Sequence, residues 1–581
     1  MQPVADRPPS PARRLCGRLE TWLAAALDRA AASPLRRSLL IAAVALAAIL
    51  PGLAAMPVTD RDEARFVQAS KQMVESGDLI DIRFQDAPRW KKPVGIYWMQ
   101  AGSAALAGGS AAPVWAYRLP SALAALAAAI LLGWAARPLV GARAAALSGV
   151  LLASCLLALG EANIAKTDAV LMACSVAAFA GLARMLAAPE ARLPWGVVLL
   201  FWGAVGLAGL VKGPIVPLIV LLTLAGLWLW ARRPPPLLRL RPGVGVLLAA
   251  AIVLPWLVAI WQVSEGRFFA ESVGKDLLGK VAEGQEKHWG PPGLFLALVW
   301  LTLWPWSALL PAAVPWAWAK RRLPFMALLA AWVVPFWIVL EAVPTKLPHY
   351  VLPLYPALLV GLAAWALAED RPVPGPRTRW AGALIAAVPG CLLALALVGL
   401  PLALEGRLPW PALLLAPLGA GASLLAARAA LDDRPLAQIA ASLVAVLTLA
   451  GGVLQFGLPA LETAFPSPRI AAAAAPWRAC ASGPLVTAGY REPSLVFLTE
   501  TGTRLATPEE AARALASDPG TLMLLEDRWK PLLERHWESP PALVERARLS
   551  YFNYNRGDME TAAIVTPEDP RWTACAAAAG G

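Results

Sequence analysis

The stretch 58–78, VTDRDEARFVQASKQMVESGD, follows a long apolar run and carries Asp60, Asp62, Glu63 and Arg65 within six residues. A carboxylate there, close to a bilayer and among cations, has the chemistry of a general base that takes a proton from a hydroxyl. Asp62 and Glu63 also open an apolar periodicity (Phe66, Val67, Ser70, Met73, Val74) that predicts an amphipathic surface helix over 62–76, where acids satisfy free N–H groups and the helix dipole. Further along, WKKPVGIYW (90–98) sets Lys91 and Lys92 before a proline and an aromatic segment. Lys92 can hold a lipid phosphate, or snorkel to headgroups. Lys166 and Asp168 lie in AKTDA, Lys212 in VKGP, and Lys346, His349 and Tyr350 in PTKLPHYVLPLYP. Cations for a phosphate and a carboxylate for an incoming nucleophile make the inventory of an enzyme that acts on a lipid phosphate. His288, before WGPP, is one of three histidines and suits a metal or a phosphate.

The elements that hold these residues are membrane spans. The 581-residue chain is 58% hydrophobic and 15% charged, with mean hydropathy +0.57, against about a quarter charged in soluble proteins. Apolar runs fall near 38–56, 113–136, 143–160, 168–187, 195–211, 213–232, 244–263, 293–311, 324–342, 348–368, 379–401, 409–429 and 436–456. They predict a polytopic α-helical membrane protein of about 13 transmembrane helices. The segment 94–109 is short and glycine-rich. Reading it as interfacial or re-entrant keeps every arginine-rich loop on the cytoplasmic side. The net charge of +12 then belongs to those loops and calls for no nucleic acid.

This topology makes 1–37 a cytoplasmic N-terminal tail, 38–459 the transmembrane domain and 460–581 a small extracytoplasmic α/β domain. The loops 57–112 and 264–292 lie outside, with 161–168, 210–214 and 341–350. In the last domain PLVTAGY, SLVFLTE, GTLMLLED and TAAIVTP read as strands and PEEAARALAS as a helix. Cys480 and Cys575 flank it, and an oxidising location would allow a disulfide between them.

The motif order DEARF, WKKPVGIYW, RLPSAL, TDA, KGP, HWGPPG…WPW, KLPHYVLPLYP resembles the bacterial aminoarabinose transferase and protein O-mannosyltransferase superfamily over roughly 38–370. These are GT-C-fold glycosyltransferases that use polyprenyl-phosphate sugars. The resemblance implies an undecaprenyl-phosphate-linked sugar as donor and a lipid (lipid A or another glycolipid) or protein acceptor, with transfer at the periplasmic face of the bacterial inner membrane. It implies catalytic roles for Asp62, Glu63 and Asp168, and donor-phosphate binding by Arg65, Lys92, Lys212, Lys346 and Tyr350. Relatives place an acid before the lysine, which with a histidine such as His288 can hold a divalent metal. Here that place is Lys91, which leaves such a site incomplete; no other cofactor is expected. A transporter or flippase of lipid-linked sugars is the alternative, and predicts mid-span charges and broken helices.

Overall fold

The computed structural model describes residues 10–187, 192–279, 289–537, 539–553 and 556–579. Among the described residues, ten helices are long and apolar enough to cross a membrane, or up to twelve if two bent pairs each count as one span. The bent pairs are Arg137–Ala153 with Leu156–Ala162 (58°) and Leu294–Thr302 with Trp306–Ala319 (107°). With the shorter apolar helix Ile215–Ala231, these account for each of the thirteen apolar runs. The chain is a multi-pass membrane protein with a small sheet domain at its C-terminal end.

Two regions differ from what the sequence suggests. The N-terminal tail holds an amphipathic helix, Pro11–Ala31, which buries Cys16, Leu23, Leu27 and Ala30. Its N-cap is Ser10, whose side chain accepts from Arg13 N–H. The segment SLVFLTE is not a strand: Pro493–Leu498 is a short helix. Pro493 at the first turn removes a donor a strand would need, and Phe497 packs edge-on against Tyr117, with ring centroids 5.4 Å apart.

The C-terminal sheet has the order Arg504–Ala506, Val486–Ala488, Met523–Glu526, Asp558–Pro567, Leu543–Asn553. The first three strands are parallel and the last two antiparallel. The Leu543–Asn553 strand is irregular in apolar pattern and escaped the sequence reading. Helix Pro508–Ser517 begins with a capping box between Thr507 and Glu510. Cys480 and Cys575 form a disulfide.

This domain grips the first loop. Ser494 N–H donates to Asp60 Oδ1 (3.0 Å), Gln68 Nε2 to Thr501 Oγ1 (2.8 Å) and Lys71 Nζ to Phe497 O (3.1 Å). Gln85 Nε2 donates to the carbonyls of Thr501 and Thr503. The helix Asp62–Ser76, which the sequence predicts, is thereby fastened from its far side, with Arg61 at φ 71° turning the chain into it. Segment 94–109 contains the twelve-residue helix Gly95–Leu106, which is not among the spanning helices. A side chain at Gly95 would meet Leu210 O at 2.8 Å, so glycine lets this helix lie directly on the end of Trp195–Lys212.

Candidate functional site

Four elements converge at the end of the bundle beneath the first loop. The bend after Ala153 carries the short helix Leu156–Ala162, whose last turn holds Glu161. The chain reverses over Asn163–Thr167 and the next span starts at Asp168. Lys212 closes the helix Trp195–Lys212, and His349 and Tyr350 open the turn of helix Pro348–Leu354.

Lys212 Nζ donates to Asp168 Oδ1 at 2.5 Å, and Lys166 Nζ to Glu161 Oε1 at 3.0 Å, with Asp168 Oδ2 3.7 Å away. Lys166 Nζ is 3.4 Å from His349 Nδ1. An ammonium can only donate, so Nδ1 accepts and the ring hydrogen sits on Nε2, 3.8 Å from Asp168 Oδ1. Lys212 Nζ also lies 5.5 Å above the Tyr350 ring. Burial would pull Lys166 down, but Glu161 and Asp168 outweigh it and hold its pKa above the usual lysine range. It therefore stays cationic. Glu161 Oε2 is buried without a hydrogen-bond partner among the described residues.

The first loop joins this cluster from above. Asp62 is exposed and lies within electrostatic reach of both Lys166 and Tyr97. Tyr97 is fully buried, its hydroxyl has no partner among the described residues, and burial raises its pKa despite the Arg89 guanidinium nearby. Lys92 Nζ pairs with Asp276 Oδ2 at 2.6 Å and is felt at His349. Contacts and electrostatic reach thus link Asp62, Lys92, Tyr97, Lys166, Asp168, Lys212, His349 and Tyr350 in one neighbourhood.

Other residues singled out in the sequence lie elsewhere. Glu63 points away from its neighbour Asp62 and is fully buried. Arg118 Nε and Nη2 clamp its two oxygens at 2.7 and 3.0 Å, while Thr59 N–H and Ala165 N–H donate at 2.8 and 2.9 Å. The remaining donors of Arg118 take the carbonyls of Leu53, Met56 and Pro57. Burial alone would raise the Glu63 pKa; Arg118 and the N–H groups hold it below the usual carboxylate range. With every lone pair engaged, Glu63 has none left for a substrate; it fastens the loop to the bundle. Lys346 Nζ donates to the carbonyls of Leu340, Glu341 and Val343 at 3.2, 2.8 and 2.6 Å, closing the end of helix Pro324–Ala342. Arg65 is half-exposed, with no side-chain hydrogen bond or ion pair among the described residues. His288 lies outside the described residues.

Lys166 is one of the outer-face cations the sequence singles out, whereas Glu161 is legible only as a letter of the loop EANIAKTD. Arg118 was quoted within RLPSAL without a role, and Asp276 gave no signal. Among the described residues no group of three His, Cys, Asp or Glu gathers as metal ligands. Between the carboxylates stand the ammonium groups of Lys166 and Lys212, where a divalent ion would otherwise balance the charge. With two ammonium groups among them, these described residues do not fit a metal.

The profile of the family described as PMT, Dolichyl-phosphate-mannose-protein mannosyltransferase, matches residues 42–265. Undecaprenyl phosphate-alpha-4-amino-4-deoxy-L-arabinose arabinosyl transferases are similar in sequence. That of Aeromonas salmonicida is 29% identical over 313 residues, 54% of this chain and 56% of its own length. That of Pseudomonas paraeruginosa is 30% identical over 308 residues, 52% and 55%. The chain thus spans little more than half the length of these relatives. Crystal structures of ArnT from Cupriavidus metallidurans share the fold. The one bound to undecaprenyl phosphate has a TM-score of 0.70 at 21% identity, covering 90% of this chain and 97% of that one; the apo state gives 0.68 at 22%. Fold and site define a GT-C-type membrane protein. Within that fold, the chain is similar over residues 42–265 to the PMT family and over about half its length to the aminoarabinose transferases.

Proposed function

We propose that the protein is a membrane glycosyltransferase that moves a sugar from undecaprenyl phosphate to an acceptor hydroxyl or phosphate. The acceptor is a lipid such as lipid A, another glycolipid, or a protein, and transfer takes place at the periplasmic face of the bacterial inner membrane. The observation that carries this reading is the meeting of Lys166, Lys212, Asp168 and His349 directly under the loop that bears Asp62. An ArnT structure that shares the fold is described as bound to undecaprenyl phosphate, and relatives similar over half the chain are named as transferases of an undecaprenyl-phosphate sugar. The transporter alternative finds no support among them.

In the proposed reaction the acceptor oxygen attacks the anomeric carbon. The bond from that carbon to the phosphate oxygen breaks and its electron pair stays on the phosphate. The acceptor proton goes to Asp62, the exposed carboxylate at the loop. Charge grows on the phosphate oxygens as the bond breaks, and Lys166 and Lys212 stabilise it by exchanging their carboxylate partners for the anion. Asp168 and Glu161 hold the ammonium groups in place before the donor arrives. Lys92 flanks the entry, Tyr350 orients Lys212, and Glu63 and Lys346 act by fixing backbone; Arg65, half-exposed on the first-loop helix, has no direct role.

The test is sugar transfer in membranes holding a radiolabelled polyprenyl-phosphate sugar pool, comparing wild type with Asp62→Asn and Lys92→Ala at matched expression. Loss of a labelled product in both folded variants is the expected result. Unchanged transfer in both would remove these residues from the chemistry. Labelled lipid that crosses the membrane without any product would replace the transferase by a carrier.

A further inference from the structure

The opposite end of the same helices carries a second charged region that the reaction does not use. Helix Asp168–Ala187 places Asp168 at one end and Arg184 sixteen residues later, about 24 Å away along the axis. Among the described residues, the charged groups felt at Arg184 are arginines. Arg37, in the first turn of helix Pro34–Leu53, is 3% exposed, and Arg137 opens helix Arg137–Ala153. Arg37, Arg137 and Arg184 lie within electrostatic reach of one another. Among the described residues none of the three pairs with a carboxylate. The guanidinium of Arg184 lies flat on the Trp134 ring at 3.4 Å and donates from Nη2 to Trp134 O, while its buried Nε has no partner among the described residues. Arg137 is exposed and Arg184 half-buried, so water reaches both, whereas Arg37 is buried among like charges that a nearby anion would offset.

The space beside these arginines is shaped for an amphiphile. A cavity of about 770 Å³ is lined by Trp134, Arg184, Arg192 and Arg239 together with Leu193, Val197 and Leu200. Leu200 also lines a groove of about 910 Å³ that runs between helices Val114–Ala135, Asp168–Ala187 and Trp195–Lys212 and is almost wholly apolar. Head pocket and groove therefore join at one side chain.

We infer that this pocket and groove bind an anionic phospholipid. Its phosphate sits among Arg184 and Arg192 near buried Arg37, and its acyl chain lies along the groove. The headgroup is at the face opposite the Asp168 cluster, so it comes from the other leaflet than the one where the sugar is transferred. The lipid neutralises the arginines that would otherwise repel one another where three spans meet. The inference stands whether or not the transferase reading holds.

Native mass spectrometry of the purified full chain tests it, with phosphatidylglycerol, phosphatidylethanolamine, undecaprenyl phosphate and inorganic phosphate added in turn. Wild type should retain phosphatidylglycerol over phosphatidylethanolamine, and excess inorganic phosphate or undecaprenyl phosphate should not displace it. Arg184→Gln and Arg192→Gln should each cut that retention roughly fivefold, the weight of one basic residue at an anionic lipid. Arg192 is exposed, so its variant reports even if Arg184→Gln fails to fold. Retention equal in wild type and Arg192→Gln would overturn the site. Displacement by undecaprenyl phosphate would give the groove to the donor's tail, and displacement by inorganic phosphate would make the ligand a free anion; either overturns the inference.

Discussion

Glu63–Arg118 and the cluster around Asp168 lie at the same end of the bundle, both buried, both made of acids and bases, yet they are built in opposite ways. Arg118 spends all five donors on Glu63 and three carbonyls, and Glu63 fills its remaining capacity with two backbone N–H groups and the Thr59 hydroxyl. Nothing is left over. In the Asp168 cluster the contacts are shared: Lys212 holds Asp168 at 2.5 Å, but Lys166 is divided among Glu161, Asp168 and His349 at 3.0 to 3.7 Å, and one oxygen of Glu161 is unpartnered among the described residues. A saturated pair holds backbone; an unsaturated one can exchange partners when an anion enters.

The comparison breaks first at Glu63. Glu63→Gln leaves Arg118 buried with its charge unmatched, which costs roughly 3–5 kcal/mol and should appear as a large drop in melting temperature in detergent. A melt like that of wild type would show that the pair does not fasten the loop. The next effect is catalytic. Lys212→Ala should lower the transfer rate about 10²–10³-fold, the scale for removing one donor at a developing oxyanion, while the melt moves far less than in Glu63→Gln. If the two variants lose stability and activity in parallel, the contrast between fastening and chemistry fails.

A smaller effect concerns the junction with the C-terminal domain. Burial pushes Asp60 up to about 6 from 3.8, although Ser494 N–H opposes the shift. The folded chain thus holds this proton more tightly than the unfolded chain does. The stability it contributes is fully present below about 4 and is lost as the pH rises through about 6. Melting temperature should decline across that window in wild type, and Asp60→Asn should flatten the decline. An unchanged slope in the variant would exclude Asp60 as its source.

Much of this was legible in the sequence, for physical reasons that differ by region. The spans announce themselves because a bilayer demands long apolar runs, and the arginine placement already set 94–109 apart as a non-spanning helix. Lys166, Asp168, Lys212, His349 and Tyr350 could be grouped because each closes a span at the same end. Local spacing could not separate Asp62 from Glu63: both are acids in a first helical turn, and only the arrival of Arg118 from 55 residues away decides which one is buried. Lys346 reads like the other lysines, yet the end of its own preceding helix claims it. SLVFL has strand composition, and tertiary contact with Tyr117 made it a helix. The grip of the C-terminal domain on Asp60, Gln68 and Lys71 joins positions more than 400 residues apart, a separation that no periodicity reports.

The central claim is that Lys166 and Lys212 receive the lipid phosphate. Its most direct test is the affinity of the purified protein for undecaprenyl phosphate, measured for wild type, Glu63→Asp and the double variant Lys166→Ala/Lys212→Ala. The account predicts that the folded double variant binds about 100-fold more weakly or worse, as expected when charge-assisted contacts to an anion are removed, while Glu63→Asp loses stability with little change in affinity. A folded double variant that binds the lipid phosphate as tightly as wild type would contradict it.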